Sequence, residues 1–301
     1  MLISDNWAEL LLPGLRRIFD KHKGKLKDYL PTIYNVEKST KAQEFSLGVG
    51  ALGLMRPWDE TGRQVYYEDV FKGFKSTYTH SKFSLGEKIE RELIEDDQYA
   101  EIKKRIRNLS QSVYYTRQYY AALPFNMAFN NNLPGPDGVA LCSANHPYSL
   151  NNAGPWKNSG NLALTAANVE KVRNEMVQWR DDKGNLIAIN PDTIIAPPNL
   201  RKAAMVIADT DREPDTDKWN VNIWKGSLDV IEWLFLNNPN AWFIVDMNRM
   251  KNFLNWFDRR KANLETESKF DTEVAKYKVV SRFSFGWDDA TFVYGNVQEA
   301  A

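Results

Sequence analysis

Between Phe45 and Phe83 the chain carries aromatic and aliphatic residues at no helical spacing, and this stretch limits what the whole molecule can be. Residues 45–54 hold three glycines, and Arg56-Pro57-Trp58-Asp59-Glu60-Thr61-Gly62 then supplies a Pro/Asp/Gly turn. Val65, Tyr67, Val70, Phe71, Phe74, Tyr78 and Phe83 follow, spread among polar residues. The pattern predicts two extended arms around the turn. Arms of about 15 residues, at roughly 3.3 Å per residue, reach about 50 Å. A hairpin that long is marginal by itself and needs a surface to lie on. In a monomer that surface is the chain's own core; in an assembly it is the next subunit.

The remainder can build a core. Of 301 residues, 43% are apolar and 13% aromatic, with ten Trp, thirteen Tyr and fifteen Phe, which excludes bulk disorder. Lys and Arg number 39 and Asp and Glu number 39, so the formal charge is zero. A dedicated nucleic-acid binder draws affinity from a basic excess that this chain lacks. Neutrality also removes the self-repulsion that keeps copies apart. The single cysteine, Cys142, excludes an internal disulfide and a sulfur-based metal cluster. No stretch reaches the roughly 18 consecutive apolar residues of a membrane span. The first residues lack a basic region ahead of the short Leu run, so they do not read as a secretory signal. Synthesis in a reducing, intracellular compartment is the expectation.

Residues 1–44 begin with an amphipathic stretch over 7–19, interrupted by Pro13-Gly14, and continue into a basic segment, 21–27. An arm across a neighbour and an ordinary N-terminal helix both fit. From Leu85 the spacing changes, with Leu85, Ile89 and Leu93 four apart. Asp96-Asp97 suits a helix start, and Ile102, Ile106, Leu109 and Val113 continue one helical face to an end near Leu123-Pro124. Some 25 residues at 1.5 Å each make a rod of about 38 Å. Residues 124–161 read as loop. Thr165 is placed as the N-cap of a second helix carrying Val169, Val172 and Met176, stopped by Asp181-Asp182-Lys183-Gly184. Strands are expected at 186–189, 193–196, 221–224 and 242–245, with a short helix at 198–208. Residues 252–257 fit helix or strand. Tyr277, Val279, Ser281, Phe283, Phe285 and Trp287 alternate, and after a turn at Asp288-Asp289 a last strand, 291–294, closes a C-terminal pair.

No residue pattern amounts to an active site. Gly48-Val49-Gly50-Ala51-Leu52-Gly53 matches G-x-G-x-x-G, with Asp69 beyond it. That fingerprint needs a helix opening on the glycines to hold a pyrophosphate, and Arg56-Pro57-Trp58-Asp59 cannot form it. Glycines that relieve crowding along a hairpin arm are the expected reading. Cys142 and His146 are four apart, but the surrounding Asn, Gly and Pro make a helix unlikely to align them, so a buried thiol and a turn histidine are expected. His22, His80 and His146 are too far apart in sequence for metal-ligand spacing. Glu95-Asp96-Asp97 is read as a helix start. The acids between Asp209 and Asp217 alternate as in calcium loops, yet lack the central Gly and terminal Glu, and read as a solvated loop. Catalytic, cofactor and metal residues are therefore predicted as none, and the protein as not an enzyme.

The order of elements resembles the HK97-type major capsid proteins of tailed bacteriophages, within them the Mu-like major head subunits. The residues carrying the resemblance are Trp58-Asp59-Glu60 with Gly62, then Tyr78-Thr79-His80-Ser81-Lys82-Phe83-Ser84-Leu85-Gly86 leading into Arg91-Glu92-Leu93-Ile94-Glu95-Asp96-Asp97. Asp137-Gly138, Leu141, His146-Pro147 and Asn161-Leu162 follow, then Pro191-Asp192-Thr193-Ile194-Ile195-Ala196-Pro197-Pro198-Asn199-Leu200 and the C-terminal stretch 283–294. The resemblance implies an α+β fold with an N-terminal arm (1–44), an E-loop hairpin (45–82) and a P-domain with a long spine helix (83–160). An A-domain (161–248) and a return to the P-domain with C-terminal strands (249–301) complete it.

It further implies pentamers and hexamers tiling an icosahedral shell around double-stranded DNA, a virion location and assembly in the host cytoplasm. The implied partners are the chain itself, a portal, and packaged DNA held by weak non-specific contact, with no membrane. Because the chain starts almost directly at the arm, a separate scaffolding protein is expected. Lys72 and Lys75 lie in the hairpin, but no acceptor or activating acid can be matched, so no isopeptide crosslink is expected. An encapsulin-type compartment is the alternative of the same fold; a Trp-rich enzyme or glycan-binding protein is the alternative of another class.

Overall fold

The computed structural model describes residues 7–23, 27–55, 57–58, 65–96, 98–150, 154–212, 220–269 and 274–298. In chain order the elements are α1 (Trp7–Lys23), α2 (Leu30–Ile33), β1 (Asn35–Lys38), β2 (Gln43–Val49), β3 (Lys72–Thr79), β4 (Ser81–Glu90), α3 (Glu92–Glu95) and α4 (Tyr99–Asn126). Three two-residue strands follow, β5 (His146–Pro147), β6 (Pro155–Trp156) and β7 (Ser159–Gly160), then α5 (Ala166–Val177), β8 (Thr193–Ala196), α6 (Arg201–Asp209), β9 (Asp229–Glu232) and β10 (Ala241–Val245). The chain closes with α7 (Met247–Phe253), β11 (Leu254–Lys269), β12 (Val274–Trp287) and β13 (Val293–Val297).

Helix α4 is the axis of the fold. At 28 residues it is about 42 Å long. Ile102, Ile106, Leu109 and Val113, the face read from spacing, are buried against Leu15 and Phe19 of α1 and the far ends of β11 and β12. Its last turns put Ala121, Ala122 and Phe125 into a second cluster with Trp233, Phe243 and Trp256. Pro124 lies within the helix, which continues to Asn126, because Met127 N–H still reaches the Leu123 carbonyl (2.9 Å). Helix α1 likewise runs through Pro13-Gly14, where the sequence suggested an interruption. It is seated on the chain's own α4, with Ser110 Oγ donating to the Phe19 carbonyl (2.9 Å).

Two sheets flank this axis. One has the order β1-β11-β12-β4, the other β7-β13-β10-β8-β9. The continuous apolar run of β10 follows from its position between two cores. Trp242 and Ile244 enter the cluster shared by α5 and α6, while Ala241, Phe243 and Val245 enter the one around α4. Thr165 caps α5 by accepting from Asn168 N–H (3.3 Å), and the turn at 181–184 ends with Gly184 at φ +84°.

Several sequence expectations change. Leu85 and Ile89 lie on strand β4, not on a helix; a spacing of four is a multiple of the strand's period of two as well as close to a helical turn. Residues 186–189 and 221–224 are not strands: Leu186 and Val221 make only isolated bridges, to Arg180 and Arg212. The two C-terminal strands exist but do not pair, since β12 joins the first sheet and β13 the second. The ambiguous stretch 252–257 holds the junction of α7 and β11. Strand β11 escaped notice beyond Phe257, because Asp258, Arg259, Arg260 and Lys261 hide its apolar alternation.

Candidate functional site

The hairpin is where the molecule leaves its apolar surface unsolved. Strands β2 and β3 pair antiparallel from Gln43↔Thr79 to Val49↔Lys72. They are seven and eight residues long, about half the arm length expected from the sequence. The turn placed at 56–62 falls largely outside the described residues. Phe45, Leu47, Val49, Leu52, Leu54 and Met55 on the outgoing arm are exposed, as are Trp58, Val65, Tyr67 and Phe71; Met55 is 99% exposed. Nearly half of the exposed large apolar side chains among the described residues belong to 45–71. A patch of that density marks an interaction surface.

The root of the hairpin is fixed. Tyr78 is buried, packs on Phe257 (ring centroids 5.0 Å apart) and donates to Asp288 Oδ1 (2.6 Å). Burial pushes its hydroxyl pKa up, which keeps it a donor. Beside it His80 is held between the Ser39 and Ser284 hydroxyls (3.0 and 2.9 Å). Further out, the glycines of the G-x-G-x-x-G match sit in β2 and its continuation, and among the described residues no helix opens on them. A Cβ at Gly73 would lie 2.7 Å from the carbonyl carbon of Gly48, so the arms touch backbone to backbone there. Lys75 lies over the Phe45 ring (4.6 Å).

Beneath the hairpin lies a cleft of about 580 Å³, walled by Phe71, Trp179, Phe253 and Trp287. At the edge of that cleft the hairpin meets the 181–184 turn. Ala51 N–H donates to Asp182 Oδ1 (3.0 Å), Gly53 N–H to Glu68 Oε2 (2.8 Å), and Lys183 Nζ to Glu68 Oε1 (2.5 Å). Glu68 holds the Lys183 pKa above its ordinary value. Sequence reading placed Asp182 and Lys183 only as a helix stop; nothing local to them signals a partner in the hairpin.

The other candidate residues have structural roles. His146 donates or accepts at both ring nitrogens, to Asp137 Oδ2 (2.6 Å) and Asn158 Oδ1 (3.0 Å), and stacks on Trp156. Cys142 is buried against Gly295, and burial pushes its thiol pKa well up, the opposite of an activated nucleophile. Asp96 sits between α3 and α4, while Asp97 lies outside the described residues. Of the acids at 209–217, Asp209 ends α6 and Asp211 pairs with Lys225; residues 213–217 are outside the described set. Trp233, Trp242 and Trp256 are fully buried. Among the described residues no group of three His, Cys, Asp or Glu is placed to hold a metal ion, and no helix is long and apolar enough to cross a membrane.

The fold sets two sheets around a long helix and leaves an apolar hairpin exposed, the kind of surface that marks an interaction site. The phage capsid protein family matches residues 74–296, and the chain belongs to that family. No curated protein matches the sequence. Among solved structures, the virus-like particle from Pyrococcus furiosus is similar at 10% identity and a TM-score of 0.55, over 95% of this chain and 98% of that one. The mature capsid of bacteriophage PhiM1 is similar at 11% and 0.54, over 89% and 85%. The procapsid of bacteriophage JBD30 is similar at 16% and 0.51, over 97% and 76%. At these identities the likeness is one of fold, the HK97-like capsid fold that the element order implied.

Proposed function

We propose that the chain is the major head subunit of a tailed bacteriophage, assembling as pentamers and hexamers into an icosahedral shell around double-stranded DNA. The observation that carries this is the uncovered hairpin on an otherwise closed body, in a chain of the phage capsid family. Each large apolar side chain covered by a neighbour contributes about 1.5–3 kcal/mol, so ordering the hairpin and assembling copies are coupled. Zero net charge lets many copies pack without accumulated repulsion.

The role is structural and not enzymatic. The division into arm, hairpin, P-domain and A-domain at 44/45, 82/83, 160/161 and 248/249 belongs to the same proposal. Separate apolar clusters around α4 and around α5 and α6 support it. A portal, a separate scaffolding protein and weak DNA contact are its proposed partners, the host cytoplasm its place of assembly, and the Mu-like branch its relatives.

Electron microscopy of the purified chain, alone and with neighbouring genes, tests the reading. Rings of five or six, or closed shells, are expected, and a monodisperse monomer under both conditions would overturn it. Nuclease-resistant DNA inside native particles is expected; particles holding cargo protein instead would favour the encapsulin-type alternative.

A further inference from the structure

The hairpin is anchored at two places of different character. At its root Tyr78 is buried and Ser76 Oγ donates to the Trp287 carbonyl (3.4 Å). At its middle it is tied to the 181–184 turn, through Asp182 and Lys183. Both partners of the Lys183–Glu68 pair are about a quarter exposed, a setting in which solvent screens an ion pair and weakens it. Between the two anchors lies the cleft of about 580 Å³, so the span is not packed down on the body.

Within the span the strand register shifts between Leu47 and Val49, opposite the Gly48/Gly73 contact. A bulge flanked by two residues without side chains is the easiest place for the ladder to bend. The turn that receives the hairpin is rigid by comparison. Asp181 Oδ1 accepts from the amides of Lys183 (2.9 Å) and Asn185 (2.8 Å), and Arg180 Nη1 donates to the Gly184 carbonyl (2.7 Å).

We propose that the Asp182–Lys183 turn is a releasable latch for the hairpin, which pivots at Gly48/Gly73 between a latched position and one swung off the body. The latch is a property of the single chain. Its use, setting the angle at which the apolar hairpin meets a neighbouring copy, rests on the shell-subunit reading.

One amide reports the latch directly, because Ala51 N–H donates to the Asp182 carboxylate of the turn. Hydrogen exchange is measured on the full chain held below its assembly concentration. In Lys183→Glu, which sets a carboxylate against Glu68, the Ala51 amide is expected to exchange about tenfold faster than in the wild type, while the β8 and β10 amides keep their rates. Lys183→Arg is expected to restore the wild-type rates. Exchange of Ala51 in the wild type as fast as in Lys183→Glu overturns the latch. So does acceleration spread equally over β8 and β10, which would be general destabilisation. Electron microscopy of the same preparations, concentrated for assembly, separates the two claims: shells from a chain whose Ala51 is unprotected remove the latch alone, and a protected Ala51 in a chain that never assembles removes the shell reading alone.

Discussion

The contact between α4 and β11 and the hairpin β2–β3 use similar residues to opposite ends. On α4, Arg117 forms a two-pronged pair with Asp258 of β11 (2.7 and 3.2 Å) and lies over the Trp256 ring, whose Nε1 also donates to Asp258 (3.0 Å). Arg117, Trp256 and Asp258 all find their partners within the chain, and Trp256 is fully buried among them. In the hairpin, Phe45 and Phe71 are more than half exposed, and its middle is tied to the body by the partly exposed Asp182 and the Lys183–Glu68 pair. The difference teaches where the chain's own folding ends: the body is complete in one copy, and the hairpin is complete only against another.

That contrast can be broken from either side. Phe243→Ala, in the strand between two cores, is expected to cost about 3–5 kcal/mol of folding stability in urea unfolding. A loss under 1 kcal/mol would mean the body is less tightly closed than its packing indicates. Arg117→Ala leaves Asp258 buried beside Trp256 without its counter-charge, and about 3 kcal/mol is expected by the same measurement. Gly73→Ala forces the arms apart at Gly48 and is expected to cost about 1–3 kcal/mol, confined to faster exchange of the β2 and β3 amides.

The smallest expected effect is a pH dependence at the hairpin root. Burial, with Arg282 nearby, lowers the His80 pKa from its ordinary 6.5. The unfolded chain therefore takes up this proton more readily than the folded one. The contribution is complete above the unfolded pKa and is lost as pH falls through the folded value. Urea midpoints are expected to drop between pH 7 and pH 5, and His80→Gln is expected to flatten that slope.

The body was legible where periodicity is local and strong. Ile102 through Val113 on α4, the Thr165 cap and the buried runs of β8 and β10 could be read residue by residue. Strand β4 was not, because the spacing of Leu85 and Ile89 satisfies both periods, and β11 was not, because charges interrupt it. The hairpin was legible as an uncovered feature, and the glycines as a crowding device. Its seat was not: Asp182 meets Ala51 and Lys183 meets Glu68 across more than a hundred residues, and such pairings leave no mark on local sequence.

The most direct test of the central claim is paired unfolding and sedimentation of Leu54→Ser/Met55→Ser, two exposed positions on the outgoing arm. The account predicts folding stability within about 0.5 kcal/mol of the wild type together with loss of rings and shells. Shells forming at wild-type concentration from a normally stable double variant would contradict it.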